Sequence, residues 1–244
     1  GSYPINESFG RDRLGDVATF ARDVVGHLSG PTVLVTTDGD MSVPDHLPAG
    51  VAQKILSDPN IVAWYTQHYD GTLHHPKLLP MPVGLGLHAG VMNRLTGIHS
   101  QARKFFSALG LSLPQNERLM RVWSDVHFRV HQHNGASRAP LAEAIHNGEL
   151  KALVDTPTRR LPQSEIWRQY GRYAFVVSLP GHGWESYRTW EALALGAIVI
   201  TVHSPIDILI KGYRVVFIDS SKNDWWLILR DPNWLETAYL EAST

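Results

Sequence analysis

The segment from residue 173 to residue 202 constrains the fold of this chain more than any other part of the sequence. An apolar run, Tyr173–Val177, is followed by a glycine-containing loop, a helical pattern over Tyr187–Leu195 and a second apolar run, Ala197–Val202. Apolar runs of this length, separated by one helix, are typical of parallel strands joined by a crossover. Gly196 directly follows the helical pattern and is predicted to end it. The sequence therefore predicts a βαβ unit whose loop and helix N-terminus could approach an anion.

Apolar runs and helical patterns alternate through the rest of the chain. Further strands are predicted at residues 32–36, 61–65, 78–83, 119–123 and 213–218. Helices are predicted at 13–28, 99–109, 138–147 and 162–171, with a short helix or turn at 51–57 and a helical, Trp-rich C-terminal tail. This alternation predicts two stacked α/β units with mainly parallel sheets. With Leu111–Glu117 as the linker, we expect domains over residues 1–113 and 114–244.

Composition excludes several classes of function. A chain of 244 residues can bury a full core, but its net charge of −1 argues against a nucleic-acid partner. The absence of cysteine excludes disulfides and thiolate nucleophiles. No apolar run approaches the ~20 residues that span a bilayer, and no signal-peptide pattern opens the sequence. We therefore expect a cytoplasmic protein (host cytoplasm if viral), while a membrane anchor removed from this sequence stays open.

The loop that contains Gly181 and Gly183, together with polar side chains at the start of the predicted helix, could bind a nucleotide. Gly181 and Gly183 would let the main chain approach a ligand closely. Arg188 could form paired hydrogen bonds to a diphosphate. Glu191, about one turn later on the same face, could accept hydrogen bonds from a ribose diol. The same residues could instead form a tight turn followed by an Arg188–Glu191 pair on the surface.

A second polar cluster follows the predicted strand at 32–36. Asp38 and Asp40 lie just beyond its carboxyl end, the edge at which ligands bind in open α/β sheets. One carboxylate there could take the proton of an attacking hydroxyl group, or both could hold a divalent cation as a D-x-D motif. Asp and Gly also favour turns on their own. Asp38 and Asp40, with His68 and Asp70, are therefore the candidates for such a base.

Two histidine pairs raise a second metal hypothesis. His131 and His133 would lie on one face of a strand and could chelate a cation, and His74 and His75 are adjacent. No carboxylate or cysteine completes a recognisable ligand spacing around either pair. We therefore predict solvated histidines and no bound metal.

The stretch from Tyr173 to Ile198 resembles the C-terminal signature of exostosin-like (family 47-type) glycosyltransferases. It is most similar to the compact members from bacteria and large algal viruses. The shared residues are Phe175, Ser178, Gly181, Gly183, Arg188, Trp190, Glu191, Ala192, Leu193, Gly196 and Ile198. The chain departs from the family pattern at His182, Glu185, Tyr187 and Val199. Asn60–Asp70 and His75–Gly84 resemble a second block of the family, and Thr37–Asp40 stands where H-N-S-D is usual.

This resemblance implies a GT-B fold, in which two Rossmann-like domains with mainly parallel sheets face a central cleft. It implies an inverting enzyme, independent of metal and of other cofactors, that moves a sugar such as xylose from a UDP-sugar to a glycan or glycoprotein. Asp40 matches the family's aspartate, which makes it the implied base ahead of Asp38, and Asn134–Arg138 resembles the family's N-x-x-x-R element. The implied donor-binding residues are Arg138, Ser178, Gly181, His182, Gly183, Glu185, Tyr187, Arg188 and Glu191. The implied acceptor-side residues are Gln67, His68 and Asp70.

Three other functions are compatible with parts of this pattern. A glycine loop in a βαβ unit also serves dinucleotide-dependent oxidoreductases, but no G-x-G-x-x-G opens this helix. A transferase that uses Asp38 and Asp40 to bind a metal is a second alternative. The third is a non-catalytic module that binds a glycan or a nucleotide sugar without turning it over.

Overall fold

The computed structural model describes residues 14–37, 39–87, 94–126, 138–181, 183–222 and 224–243. Its helices are α1 (Leu14–Asp23), α2 (Val51–Ser57), α3 (Arg94–Gly110), α4 (Arg138–His146), α5 (Gln163–Tyr170), α6 (Tyr187–Ala194), α7 (Asp207–Ile210) and α8 (Pro232–Ser243). Its strands are β1 (Thr32–Thr36), β2 (Ile61–Thr66), β3 (Leu78–Pro80), β4 (Leu119–Trp123), β5 (Val154–Asp155), β6 (Tyr173–Val177), β7 (Ile198–Val202) and β8 (Val215–Ile218). Short 3₁₀ helices cover Gln115–Glu117 and Trp225–Arg230. No helix within these ranges is long and apolar enough to cross a membrane.

The strands form two sheets, and every pairing within them is parallel. The first sheet has the order β1-β2-β3, and the second has the order β5-β4-β6-β7-β8. Helices precede or follow most strands, as parallel connections require. This confirms the mixed α/β class with parallel sheets that the sequence predicts, and it is consistent with Rossmann-like units.

The chain divides into two compact units whose segments alternate along the sequence. Unit 1 contains the described residues of Gly1–Val83, His182–Glu185 and Ser204–Leu209. Unit 2 contains those of Gly84–Gly181, Ser186–His203 and Ile210–Thr244. The boundary expected at 113/114 thus falls inside unit 2. Helix α3 belongs there because its buried Phe105 packs with Trp167 of α5.

Three element ends differ from the predicted ones by three residues or more. Helix α1 ends at Asp23 rather than at residue 28, because the chain turns at Val24–Gly26, where Gly26 has a φ of 95°. Strand β3 ends at Pro80 rather than at residue 83. A strand cannot easily continue there, since Pro80 and Pro82 have no N–H to donate. Helix α3 begins at Arg94, earlier than the predicted residue 99.

The second sheet is covered by helices on both faces. Ile198 and Ile200 of β7 pack in one apolar layer with Leu235 of α8. Val199, which points the opposite way, packs in the other layer with Leu195 beside α6. These β7 side chains are fully buried. Burial on both faces explains why β6 and β7, which are buried along their whole length, are almost entirely apolar in sequence.

Candidate functional site

Charged residues of unit 2 gather just beyond the carboxyl ends of β4 and β6. Asp125 lies two residues after β4, and Gly181 follows β6. Arg138 is the first residue of α4, and Arg188 lies in the first turn of α6. The cap of α6 is Ser186, whose Oγ accepts a hydrogen bond from the Arg188 N–H at 3.3 Å. The chain thus brings its two predicted phosphate ligands to the edge of the sheet where ligands of α/β proteins bind.

Arg188 forms a buried ion pair with Asp125. Its Nε donates to Asp125 Oδ1 at 3.0 Å, and the two side chains are 12% and 9% exposed. The Tyr170 hydroxyl donates to the same carboxylate at 3.0 Å. Burial lowers the pKa of Arg188, but attraction to Asp125 and Tyr170 and hydrogen bonds to both residues together outweigh burial and raise that pKa. Burial and the same carboxylate raise the pKa of Tyr170 well above its usual value. Arg188 is therefore a fixed cation.

The sequence analysis missed Asp125. It stands just past a predicted strand, the same position that drew attention to Asp38 and Asp40. Applying that rule to every predicted strand would have found it. Its partner would still have been unknown, because Arg188 lies 63 residues further along the chain.

Arg138 is a second buried cation close to the first. Its Nε donates to the Pro180 carbonyl at 2.6 Å, and its Nη2 donates to the Leu179 carbonyl at 2.8 Å. Burial, and then repulsion from Arg188, lower the pKa of Arg138 to about 10. A Cβ on Gly181 would lie 2.6 Å from Arg138 Nη2. The glycine at 181 is therefore needed for the arginine to support the loop.

Two guanidinium groups consequently share one carboxylate. The group of Arg138, Arg188 and Asp125 carries a formal net charge of +1 in a largely buried place. Among the described residues, Nη1 of Arg138 makes no hydrogen bond, whereas Arg188 is held by hydrogen bonds to Asp125 and Tyr170. An anion placed here would meet two fixed charges and relieve their repulsion. This arrangement can bind a phosphate or a carboxylate.

Glu191 is buried and has partners within unit 2. Its Oε1 accepts from the Gly86 N–H at 3.2 Å, and its Oε2 accepts from Gln163 Nε2 at 3.0 Å. Burial raises the pKa of Glu191. The alternative of a surface Arg188–Glu191 pair is wrong, since Glu191 is buried and Arg188 pairs with Asp125. A ribose diol could bind Glu191 only by displacing one of its present partners.

Two other predicted donor-site residues lie at the junction of β6 and α6. Ser178 is buried, and its Oγ lies 2.8 Å from Thr189 Oγ1, which ties the end of β6 to the first turn of α6. Tyr187 is half-buried, and its Cγ lies 3.0 Å from the Cβ that a side chain on Gly86 would add. Ser178 thus supports the helix, whereas Tyr187 packs against the main chain.

In unit 1, a buried histidine joins the loop of Asp40 to the glycine loop. His68 Nδ1 accepts from the Glu185 N–H at 3.4 Å, and its Nε2 lies 4.0 Å from Asp40 Oδ1. Burial lowers the pKa of His68, although Asp40 and a hydrogen bond to the Gly39 backbone oppose this. These contacts assign the proton of the neutral ring to Nε2. His68 also has a φ of 52°, which is uncommon for a residue other than glycine.

The other unit 1 candidates differ in their access to a ligand. The Asp40 side chain is 73% exposed on the loop after β1. Asp70 is buried, and its carboxylate accepts hydrogen bonds from Asp45 N–H, Thr72 N–H and Thr72 Oγ1 at 2.6–2.9 Å. The Gln67 N–H donates to the Thr36 carbonyl at 3.2 Å. Of these residues, Asp40 is the one with an accessible carboxylate, whereas Asp70 organises its own loop.

The remaining donor-site residue of unit 1 is Glu185. It is buried, and its Oε1 accepts from the Val83 N–H at 2.9 Å. Several predicted residues lie outside the described ranges: Asp38, His131, His133, Asn134 and His182. Within the described ranges, no group of three or more His, Asp or Glu residues could hold a metal ion.

Gly183 allows the close approach between the glycine loop and His68. A Cβ on Gly183 would lie 2.1 Å from His68 Nδ1. We expect Gly183→Ala to lower the free energy of unfolding by about 2 kcal/mol, because the ring or the loop must move. Urea denaturation measures this loss. As the control, Gly30→Ala should change stability by less than about 0.5 kcal/mol, since nothing lies within 4 Å of its added Cβ.

A double variant separates this contact from a general effect of alanine. His68→Asn shortens the side chain and suits a positive φ. The double variant His68→Asn/Gly183→Ala should therefore regain at least half of the free energy of unfolding that Gly183→Ala loses. Strictly additive losses in the two single variants would contradict the contact.

Comparison with known proteins does not assign the chain to a family. No family model matches the sequence, and a search of curated proteins finds no matching relative. The similarity to exostosin-like glycosyltransferases thus depends on the quoted residues alone. Functional assignment has to come from the geometry and charge of the two groups of residues described above.

Proposed function

We propose that this chain is an inverting glycosyltransferase that uses a UDP-sugar donor and has a GT-B arrangement. The observation that carries the proposal is the pair of buried arginines, Arg138 and Arg188, both of which are attracted by the carboxylate of Asp125. The diphosphate of a nucleotide sugar carries two negative charges and is complementary to such a pair of cations. The resemblance of this segment to a sugar-transferase signature narrows the anion to a nucleotide sugar.

In this proposal the arginines serve both binding and the chemical step. The two guanidinium groups hold the donor diphosphate beside Gly181, whose lack of a side chain leaves room for Arg138. As the bond from the anomeric carbon to the phosphate oxygen breaks, its electron pair goes to the departing UDP. Fixed positive charge stabilises this developing anion without reorganisation. The present partners of Glu191 favour a role in holding Gly86 rather than in binding ribose.

Asp40 takes the acceptor proton in the proposed reaction. Its carboxylate is exposed to a substrate and lies beyond the carboxyl end of β1. The acceptor hydroxyl oxygen attacks the anomeric carbon from the side opposite to the diphosphate, and its proton passes to Asp40. Attack from that side inverts the configuration at the anomeric carbon. Neutral His68 keeps the Asp40 loop in place and is not itself the base.

The first test is the affinity for UDP, measured by calorimetry with Lys substituted for each arginine. Arg138→Lys and Arg188→Lys keep the positive charge but lose the second nitrogen, so each should weaken UDP binding about 10- to 100-fold. Arg168→Lys is the control, since Arg168 lies on the exposed side of α5. Unchanged UDP affinity in both site variants would remove the arginines from the phosphate site.

Turnover is tested separately with a panel of UDP-sugars that includes UDP-xylose. We expect slow UDP release from one donor, at the same rate with and without EDTA. UDP binding without release from any donor would contradict the transferase and support the non-catalytic module. Loss of release in EDTA would instead support a metal-dependent transferase.

A further inference from the structure

We propose that the open edge of β8 binds an extended peptide as a sixth strand of the sheet in unit 2. The surface involved, here called the β8 slot, is lined by Lys211–Phe217, by Leu193 of α6 and by Glu241 and Ala242 of α8. None of the residues proposed for sugar transfer lines it. This inference therefore goes beyond the proposed function and does not depend on it.

Strand β8 ends the sheet, and of its two outward-facing residues Val215 donates its N–H to the Tyr213 carbonyl at 2.8 Å, which leaves the main-chain groups of Phe217. Within the described ranges it pairs with β7 alone. The Val199 N–H donates to the Arg214 carbonyl at 2.9 Å, so the main-chain groups of alternate residues from 214 onward face β7. Successive residues of a strand direct these groups to opposite sides. The N–H and C=O of Phe217 consequently face the open edge, where another strand can pair.

The volume of the slot is close to that of one short β-strand. Helices α6 and α8 cover opposite faces of the sheet, and both contribute residues to the lining of the slot. Its volume is about 870 Å³. Five residues of a strand, ~17 Å long, ~4.8 Å wide and ~10 Å thick, occupy roughly 800 Å³. One extended segment of about that length would therefore fill the space between the helices.

The core of the sheet is incomplete at this edge. Val199 and Ile200 of β7 are fully buried, whereas Val215, Val216 and Phe217 of β8 are half-buried. Neither a proline nor a charged residue, which commonly protect sheet edges, occurs between Val215 and Ile218. Apolar side chains at alternate positions of an added strand would complete the burial on both faces.

The charge of the β8 slot and the helices on either side of it indicate what kind of molecule could bind there. Lys211 and Arg214 are exposed at the start of β8 and outnumber Glu241, the carboxylate that α8 contributes to the lining, which favours an acidic residue at the adjacent end of the added strand. A second copy of this chain would bring its own α6 and α8 against those of the first. A single peptide strand avoids that overlap. The occupant is thus an extended peptide with alternating apolar side chains and one acidic end, a form of β-strand addition.

Two labelled peptides test the proposal. Both alternate threonine and valine over six residues, and two aspartates follow at the C-terminus of one and precede the N-terminus of the other. Fluorescence anisotropy measures binding to the full chain, and ¹⁵N NMR locates it. We expect one peptide to bind clearly more tightly, with shifts centred on Tyr213, Phe217 and Ala242. The preferred peptide reports the strand direction, because its aspartates must lie beside Lys211.

Two controls distinguish main-chain strand pairing from electrostatic attraction between the peptide and Lys211. Methylation of alternate main-chain nitrogens in the preferred peptide should weaken binding about tenfold or more, since the side chains stay and the edge hydrogen bonds are lost. Lys211→Glu should weaken binding of the acidic peptide and favour its lysine counterpart. The proposal would be overturned by equal binding of the methylated peptide, by shifts elsewhere, by no binding at millimolar concentration, or by a dimer formed through β8.

Discussion

Asp125→Asn should lower the free energy of unfolding by about 3 kcal/mol at neutral pH, because it leaves two buried guanidinium groups without a counter-charge. The asparagine amide would also turn N–H donors toward Arg188 and the Tyr170 hydroxyl, which are donors themselves. Urea denaturation followed by tryptophan fluorescence measures the loss. A loss below about 1 kcal/mol would show that the Arg188–Asp125 pair contributes no more than a surface pair.

Two companion measurements connect this stability loss to the proposed anion site. Glu165→Gln is the matched control, because the Arg159–Glu165 pair is 66% and 37% exposed and its loss should cost less than about 0.5 kcal/mol. UDP or pyrophosphate should stabilise Asp125→Asn more than the unchanged chain, since the variant site carries one more positive charge. Equal stabilisation by the anion would argue that it binds elsewhere.

Asp40→Asn should reduce the rate of sugar transfer about 10²- to 10⁴-fold, the range usual for loss of a general base. UDP affinity should stay within about twofold, since Asp40 is not among the residues proposed to hold the diphosphate. The fold should be unaffected, because the side chain is 73% exposed and its carboxylate lies 4.0 Å from Nε2 of the neutral His68. Initial rates at saturating donor measure the effect.

Asp45→Asn is the control for this experiment. Asp45 is another exposed carboxylate of unit 1, and the contact described for it is made by its main-chain N–H to Asp70. Its substitution should leave the rate of transfer unchanged. If Asp40→Asn retains full activity while Asp45→Asn loses it, the base has been assigned to the wrong residue.

The fold could be predicted well from the sequence because burial on both faces leaves a simple pattern. Strands β4 and β6 begin and end at the predicted residues. Helix α6 was predictable from Gly196, which has a φ of 84° directly after the helix. The predicted ends of α1 and β3 are wrong because single residues, Gly26 and Pro80, interrupt the regular hydrogen bonding there.

The site was harder to predict because its contacts join distant parts of the chain. Glu191 and Gly86 are 105 residues apart, and the sequence contains no sign that they meet. The pattern around Arg188 predicted a phosphate ligand but not the carboxylate that holds it. Local spacing identifies residue types suited to a reaction, whereas their partners depend on how the segments pack.

The alternating segments of the two units limit how this chain can be divided for experiments. A fragment that stops at Val83 would lack residues 182–185 and 204–209 of its own unit. His68 Nδ1 would lose its hydrogen bond from the Glu185 N–H. Pro205, which lies 3.4 Å from the position of a Cβ on Gly71, would also be missing. The complementary fragment would carry two short insertions with no packing surface. Neither unit corresponds to one continuous gene segment, so a shortened expression clone should keep residues 14–243 together.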